Sequence, residues 1–141
     1  ADLAKEAARH GVVLSIENSG LPVRSLAMLV DAARAGMQGS EAHYLGLCPD
    51  PVNQLLLDSD TDPLDDLEAL PLDAMKIVHF KQLRDGRPYR SVDAGDLDCE
   101  RMVAILQAKG YAGPAIMEIP PGPEAFDNLE ASLEFLSEHS S

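Results

Sequence analysis

Four short apolar runs, each followed by a helix-like stretch, constrain this chain more than any other feature. They are Val12-Val13-Leu14-Ser15-Ile16-Glu17, Tyr44-Leu45-Gly46-Leu47-Cys48, Ile77-Val78-His79-Phe80-Lys81 and Ala115-Ile116-Met117-Glu118-Ile119. Short runs of this kind, bounded by turn residues, read as strands covered on both faces. Between them apolar residues recur at helical spacing: Leu26, Leu29, Val30 and Ala33, then Met102, Val103, Ile105 and Leu106, then Phe126, Leu129, Leu133 and Leu136. His10-Gly11 and Lys109-Gly110 are helix stops. Asp62-Pro63 reads as the N-cap and first residue of a short helix ending before Pro71, and Pro123 suits the first turn of the last helix. The order is α-β-α-β-α-β-α-β-α, which predicts a parallel sheet with helical crossovers.

Each unit is about 35 residues long in a chain of 141, so the chain is one α/β domain over residues 1–141. A whole (β/α)₈ barrel needs about 250 residues, and four units make half of one. The competing architecture, a nucleotide-binding doubly wound sheet, lacks its fingerprint. The segment Glu17-Asn18-Ser19-Gly20 is neither G-x-G-x-x-G nor a P-loop.

Each run turns polar at its C-terminal end, at Glu17, Asp50, His79 and Glu118. Side chains alternate along a strand, so these four can be tested for phase. Stepping back by twos gives Ser15 and Val13, Cys48 and Gly46, Ile77, and Ile116. The opposite faces carry Leu14 and Ile16, Leu45 and Leu47, Val78 and Phe80, Ala115 and Met117, the apolar set expected under helices. The polar four therefore share the inner face at the C-terminal rim, where barrel enzymes place their chemistry. Three carboxylates gathered with one imidazole repel one another unless a cation joins them. Oxygen and nitrogen ligands of this mix suit Mn²⁺, Mg²⁺, Co²⁺ or Zn²⁺. Lys81 has the parity of His79; it either meets a substrate oxygen or phosphate, or balances the carboxylates. Cys48 reads as packing, and His10, His43 and His139 as surface or loop residues. Asp58-Ser59-Asp60-Thr61-Asp62 begins like a calcium loop but has Pro63 and Ala69 where Gly and Glu are needed, so it reads as a solvated acidic loop.

Composition narrows the partners. With 45% hydrophobic residues, 4% aromatic and no Trp, the core is aliphatic. Eleven Lys and Arg against 24 Asp and Glu give a net charge of −13, which repels phosphate backbones and argues against a nucleic-acid partner. No apolar run approaches the roughly 18–20 residues of a membrane span, and no signal-peptide pattern is present. Two cysteines are too few for a disulfide framework, so a reduced cytoplasm is expected. The chain opens at Ala1 inside a helical pattern, which suggests a fragment or a processed chain.

The strings Val13-Leu14-Ser15-Ile16-Glu17-Asn18, Leu45-Gly46-Leu47-Cys48-Pro49-Asp50-Pro51-Val52-Asn53, Ile77-Val78-His79-Phe80-Lys81 and Gly110-Tyr111-Ala112-Gly113-Pro114-Ala115-Ile116-Met117-Glu118 resemble the xylose-isomerase-like TIM-barrel family of sugar-phosphate isomerases and epimerases. The likeness covers strands five to eight, the C-terminal half of that barrel, and Gly95-Asp96-Leu97-Asp98 matches the turn before its seventh helix. The resemblance implies that Glu17, Asp50, His79 and Glu118 are ligands of one divalent metal. It makes Glu17 and Glu118 the acid/base pair, and it places Asn53 near a small sugar substrate. It implies proton transfer next to a metal-chelated carbonyl of a ketose. Gln82 departs from the family, which commonly has Asp after the His-x-Lys step; its parity is opposite to that of His79, so the departure spares the metal. Two other readings stay open: dehydration of an inosose-type polyol ketone at the same site, and an inert half-barrel that at most binds metal. Apurinic endonucleases share the fold but need more metal ligands and a basic surface.

Four parallel strands with outer helices leave two open edges and a bare inner face. The expectation is a partner: a missing N-terminal half, or self-association with a second copy.

Overall fold

The computed structural model describes residues 2–57 and 61–140, so Asp58, Ser59 and Asp60 of the acidic loop lie outside the described residues. All four apolar runs are strands, shorter than the runs themselves. They are β1 (Leu14–Glu17), β2 (Leu45–Cys48), β3 (Val78–Phe80) and, after a small hairpin, β6 (Ala115–Met117). The helices are α1 (Asp2–Arg9), α2 (Val23–Ala35), α3 (Pro51–Leu55), α4 (Pro63–Ala69), α5 (Cys99–Ala108) and α6 (Ala125–His139). Short 3₁₀ turns precede β2 and β3; His43 lies in the first.

β1 pairs with β2 in parallel, with Glu17 opposite Cys48, and β3 pairs with β6 in parallel, with His79 opposite Ile116. The two pairs are stitched together by a parallel bridge between Leu47 and Met75 and by bonds from Lys76 N to Leu47 O (2.9 Å) and His79 N to Pro49 O (3.1 Å). Four strands thus run side by side in the order β1-β2-β3-β6, all pointing the same way. The core lies between this sheet and the helices. Leu47, Val78, Leu67 and Met102 are sealed from solvent, and the outer faces of β2 and β3 are buried as the alternation requires.

The predicted helix stops hold: Gly11 and Gly110 both take positive φ, at 67° and 70°, where a side chain would be strained. Asp62 caps α4, its carboxylate accepting from Leu64 N at 2.8 Å. Asp98 caps α5 through Arg101 N at 2.8 Å. The turn before α5 needs its glycine for space, since a Cβ on Gly95 would stand 2.3 Å from the Gln82 side chain and from Leu83 O.

Two readings need correction. The last helix does not bury the stripe Phe126, Leu129, Leu133, Leu136. Phe126 is 84% exposed and Leu133 50% exposed. Its covered face runs instead through Asn128, Leu129, Ser132, Phe135 and Leu136, with Ser132 fully buried at the centre. Ser132 Oγ donates to Asn128 O within the helix (2.7 Å) and accepts from Val92 N (3.2 Å), a bond that ties this face of the helix to the segment before α5. The outer faces of the edge strands are also less covered than expected, with Ile16 39% exposed and Ala115 open to solvent. An edge strand has a neighbour on one side only, and so fewer helices lie over it. One element was unforeseen: the antiparallel hairpin β4 (Leu83–Arg84) and β5 (Arg87–Pro88). It turns on Asp85-Gly86, both at positive φ, the dipeptide that favours a tight hairpin.

Candidate metal centre

Glu17 ends β1, Asp50 stands two residues beyond β2 as the N-cap of α3, His79 is the middle residue of β3, and Glu118 follows β6. The parallel register brings them to one rim. His79 Nδ1 is the focus, with Glu118 Oε1 at 3.1 Å and Glu17 Oε1 and Asp50 Oδ2 each at 3.7 Å. Glu17, Asp50 and His79 form the tight group, each offering a donor atom within 4.8 Å of the others. Glu118 sits at the mouth.

Burial divides the four. The Asp50 side chain is fully buried and that of His79 is 12% exposed, whereas Glu17 and Glu118 are 33% and 41% exposed. Burial holds Asp50 above the usual carboxylate range, outweighing the adjacent Lys81 ammonium and the bond from Asn53 N that favour its charge. Cys48 lies below the cluster. Burial first, and then the charges of Glu17, Asp50 and Glu118, push its thiol up to about 12, so it offers no thiolate near neutrality.

Asn53, one turn into α3, ties the cluster together. Its backbone N–H donates to Asp50 Oδ1 (2.9 Å) and its Nδ2 to Glu17 Oε1 (2.6 Å), while its Oδ1 accepts from Lys81 Nζ (2.8 Å). Its amide thus links Glu17 to Lys81 and keeps a second N–H and a second lone pair. Lys81 Nζ also stands 2.6 Å from Asp50 Oδ2 and 3.1 Å from Glu118 Oε2. Burial of Lys81 opposes its charge, yet Asp50 and Glu118 hold its pKa above the ordinary value. Gln82 is buried and faces away, receiving Leu83 N (3.0 Å) and Leu97 N (2.9 Å) and donating to Leu97 O (2.8 Å), so it anchors the turn before α5.

Asn18 carried no expected role, although it follows Glu17 directly. Buried to 1% exposure, it accepts from Asp50 N (2.7 Å) and donates to Asp50 O (2.9 Å). It thereby extends the β1–β2 ladder with a side chain and fixes the peptide of Asp50. Its partner is 32 residues away, so local sequence carries no signal for it.

The donor set fits a divalent cation. Asp50 Oδ2 and His79 Nδ1 are buried with no well-directed hydrogen bond from any described residue; Lys81 Nζ is close to Asp50 Oδ2 but off its bonding direction. Buried polar atoms are normally satisfied. Two such atoms 3.7 Å apart, with a Glu17 oxygen within 4.8 Å of both, match oxygen-and-nitrogen coordination.

Comparison with known proteins agrees with the topology. No curated protein matches the chain. The crystal structure of a xylose isomerase domain protein from Planctomyces limnophilus superposes with a TM-score of 0.77 at 22% identity, covering 98% of this chain and 50% of that one. This chain thus spans half the length of that neighbour, and the likeness is one of fold. The family profile described as xylose isomerase-like TIM barrel matches residues 1–139, from α1 to the end of α6. The parallel strand–helix units are accordingly those of a barrel fragment, and the chain belongs to the xylose isomerase-like TIM barrel family.

Proposed function

We propose that this chain carries the metal-binding half of a sugar isomerase or epimerase that moves a proton next to the carbonyl of a ketose or related small sugar. The observation behind the reading is the convergence of Glu17, Asp50 and Glu118 on His79 Nδ1. Asp50 and His79, the buried pair, hold the ion with Glu17. A bound Mn²⁺, Mg²⁺, Co²⁺ or Zn²⁺ supplies Lewis acidity, which acidifies the C–H beside a carbonyl. Glu17 and Glu118 are the exposed members and lie on opposite edges of the sheet, so they reach a substrate from two sides. One carboxylate accepts the proton from carbon and the other returns one. Such transfer contributes typically about 10²–10⁴-fold to rate. Asn53 and Lys81 position Glu17 and Glu118 for it.

The architecture carries a second part of the proposal. The chain supplies strands five to eight, residues 1–141 forming one C-terminal half-barrel unit, and its two edges are covered by further strand–helix units from a longer chain or a second copy. Exposed Val12 and Val13 leading into β1, exposed Ile16 within it and exposed Ile116 within β6 support this.

The metal step is tested by thermal unfolding with Mn²⁺. At 100 times its dissociation constant an ion that binds the folded state stabilises by about 2.7 kcal/mol. The wild-type chain is expected to shift, and Asp50→Asn or His79→Gln to lose the shift. The reaction is tested in the assembled barrel by following deuterium uptake from solvent beside the carbonyl across a panel of ketoses and inososes. Uptake should vanish in Glu17→Gln and Glu118→Gln. A dehydrated product would instead assign a dehydratase, and absence of both metal shift and uptake would leave an inert half-barrel.

A further inference from the structure

We propose that Lys81 is a built-in counter-cation of the metal centre: its ammonium and a divalent ion claim the same Asp50 oxygen, and this contest sets how tightly the ion is held. The inference rests on the metal reading above and adds a control on it.

The two oxygens of Asp50 have separate duties. Oδ1 accepts from Asn53 N at 2.9 Å and caps α3. Oδ2 alone is left to face His79 Nδ1, 3.7 Å away, and Lys81 Nζ stands 2.6 Å from that same atom. Asp50 is fully buried, so water cannot relieve the crowding. An ammonium and a divalent ion both in contact with one buried oxygen repel each other strongly, because screening is weak there. Lys81 also has acceptors besides Asp50, namely Asn53 Oδ1 at 2.8 Å and Glu118 Oε2 at 3.1 Å. It can therefore yield Oδ2 without losing every partner. Those two remaining acceptors lie toward the rim, where a cleft of about 330 Å³ opens beside Lys81 and Glu118 between Leu83, Pro88, Ile119 and Pro120. A lysine that surrenders Asp50 keeps a donor at the mouth of that cleft.

The experiment is calorimetric titration of Mn²⁺ into the metal-stripped chain, with circular dichroism confirming the fold of each variant. Lys81→Met is expected to bind Mn²⁺ roughly tenfold tighter or more than wild type, since a decade of affinity is a small part of the repulsion removed. Lys81→Arg, which keeps the charge, should stay near wild type. Should Lys81→Met not fold, Lys81→Gln makes the same charge change with a polar side chain and carries the test. Wild-type binding with equal or weaker affinity in the folded neutral variants overturns this inference and leaves the metal centre standing. Absence of Mn²⁺ binding in every protein, wild type included, overturns the metal centre and this inference with it.

Discussion

Asp50 shows what single residues must do here. A carboxylate sealed from water is costly unless its surroundings are arranged for it, and the arrangement comes from Asn18 just after β1, Asn53 in α3 and Lys81 just after β3. Asn18 is the least replaceable of these, because it holds both the N–H and the C=O of the Asp50 peptide. Asn18→Ala leaves two buried backbone groups without partners, and we expect a loss of about 1–3 kcal/mol in urea unfolding. The Mn²⁺-induced thermal shift should shrink in the same variant, since the Asp50 peptide is no longer pinned. Unchanged stability would show that Asn18 is dispensable. That Glu17, Asp50, His79 and Glu118 share one side of the sheet was legible from strand parity, since that alternation needs only the residues in and just after each apolar run. Asn18 was not, for its partner is fixed only when β1 and β2 lie side by side.

At the scale of elements, caps and stops were readable because their signals are local. Asp62 and Pro63 begin α4 as their types require. Asp62 carries a depressed pKa: burial opposes its charge, but the bond from Leu64 N and the Arg101 guanidinium favour it more. A depressed folded-state value means that this stabilisation is fully present above the ordinary value of 3.8 and is lost as pH falls through the lower folded value. Asp62→Ala is therefore expected to cost about 1 kcal/mol at neutral pH. Its difference from wild type should narrow on acidification below 3.8, as followed by urea unfolding at the two pH values. A gap independent of pH would show that the charge of Asp62 plays no part. Helix α6 shows where local reading fails. Its leucines suggested one face, yet the buried face is centred on Ser132, which accepts from Val92 N, a contact 40 residues distant.

Among the described residues the helices cover a four-stranded parallel sheet with two open edges, the β1 edge following exposed Val12 and Val13 and the β6 edge carrying exposed Ile116. Parallel sheets are ordinarily covered on both faces, and bare edges recruit further strands. Light scattering during gel filtration of the 141-residue chain is expected to give a dimer or larger species; added (β/α) units from a longer chain should abolish that self-association. A folded monomer at low concentration would count against the proposed covering of the edges.

Alternation of apolar runs with helical stretches, and the phase of four polar residues at the run ends, determined the parallel α/β class and the shared rim from the amino-acid order alone. Both are periodic signals that operate within a few residues, where backbone geometry is dictated by side-chain spacing. The rotation of α6, the clamp that Asn18 places on Asp50, and the meeting of Lys81 with Asp50 Oδ2 were decided only in three dimensions. Each joins positions 31 to 40 residues apart, and such distances close only after the strands have docked.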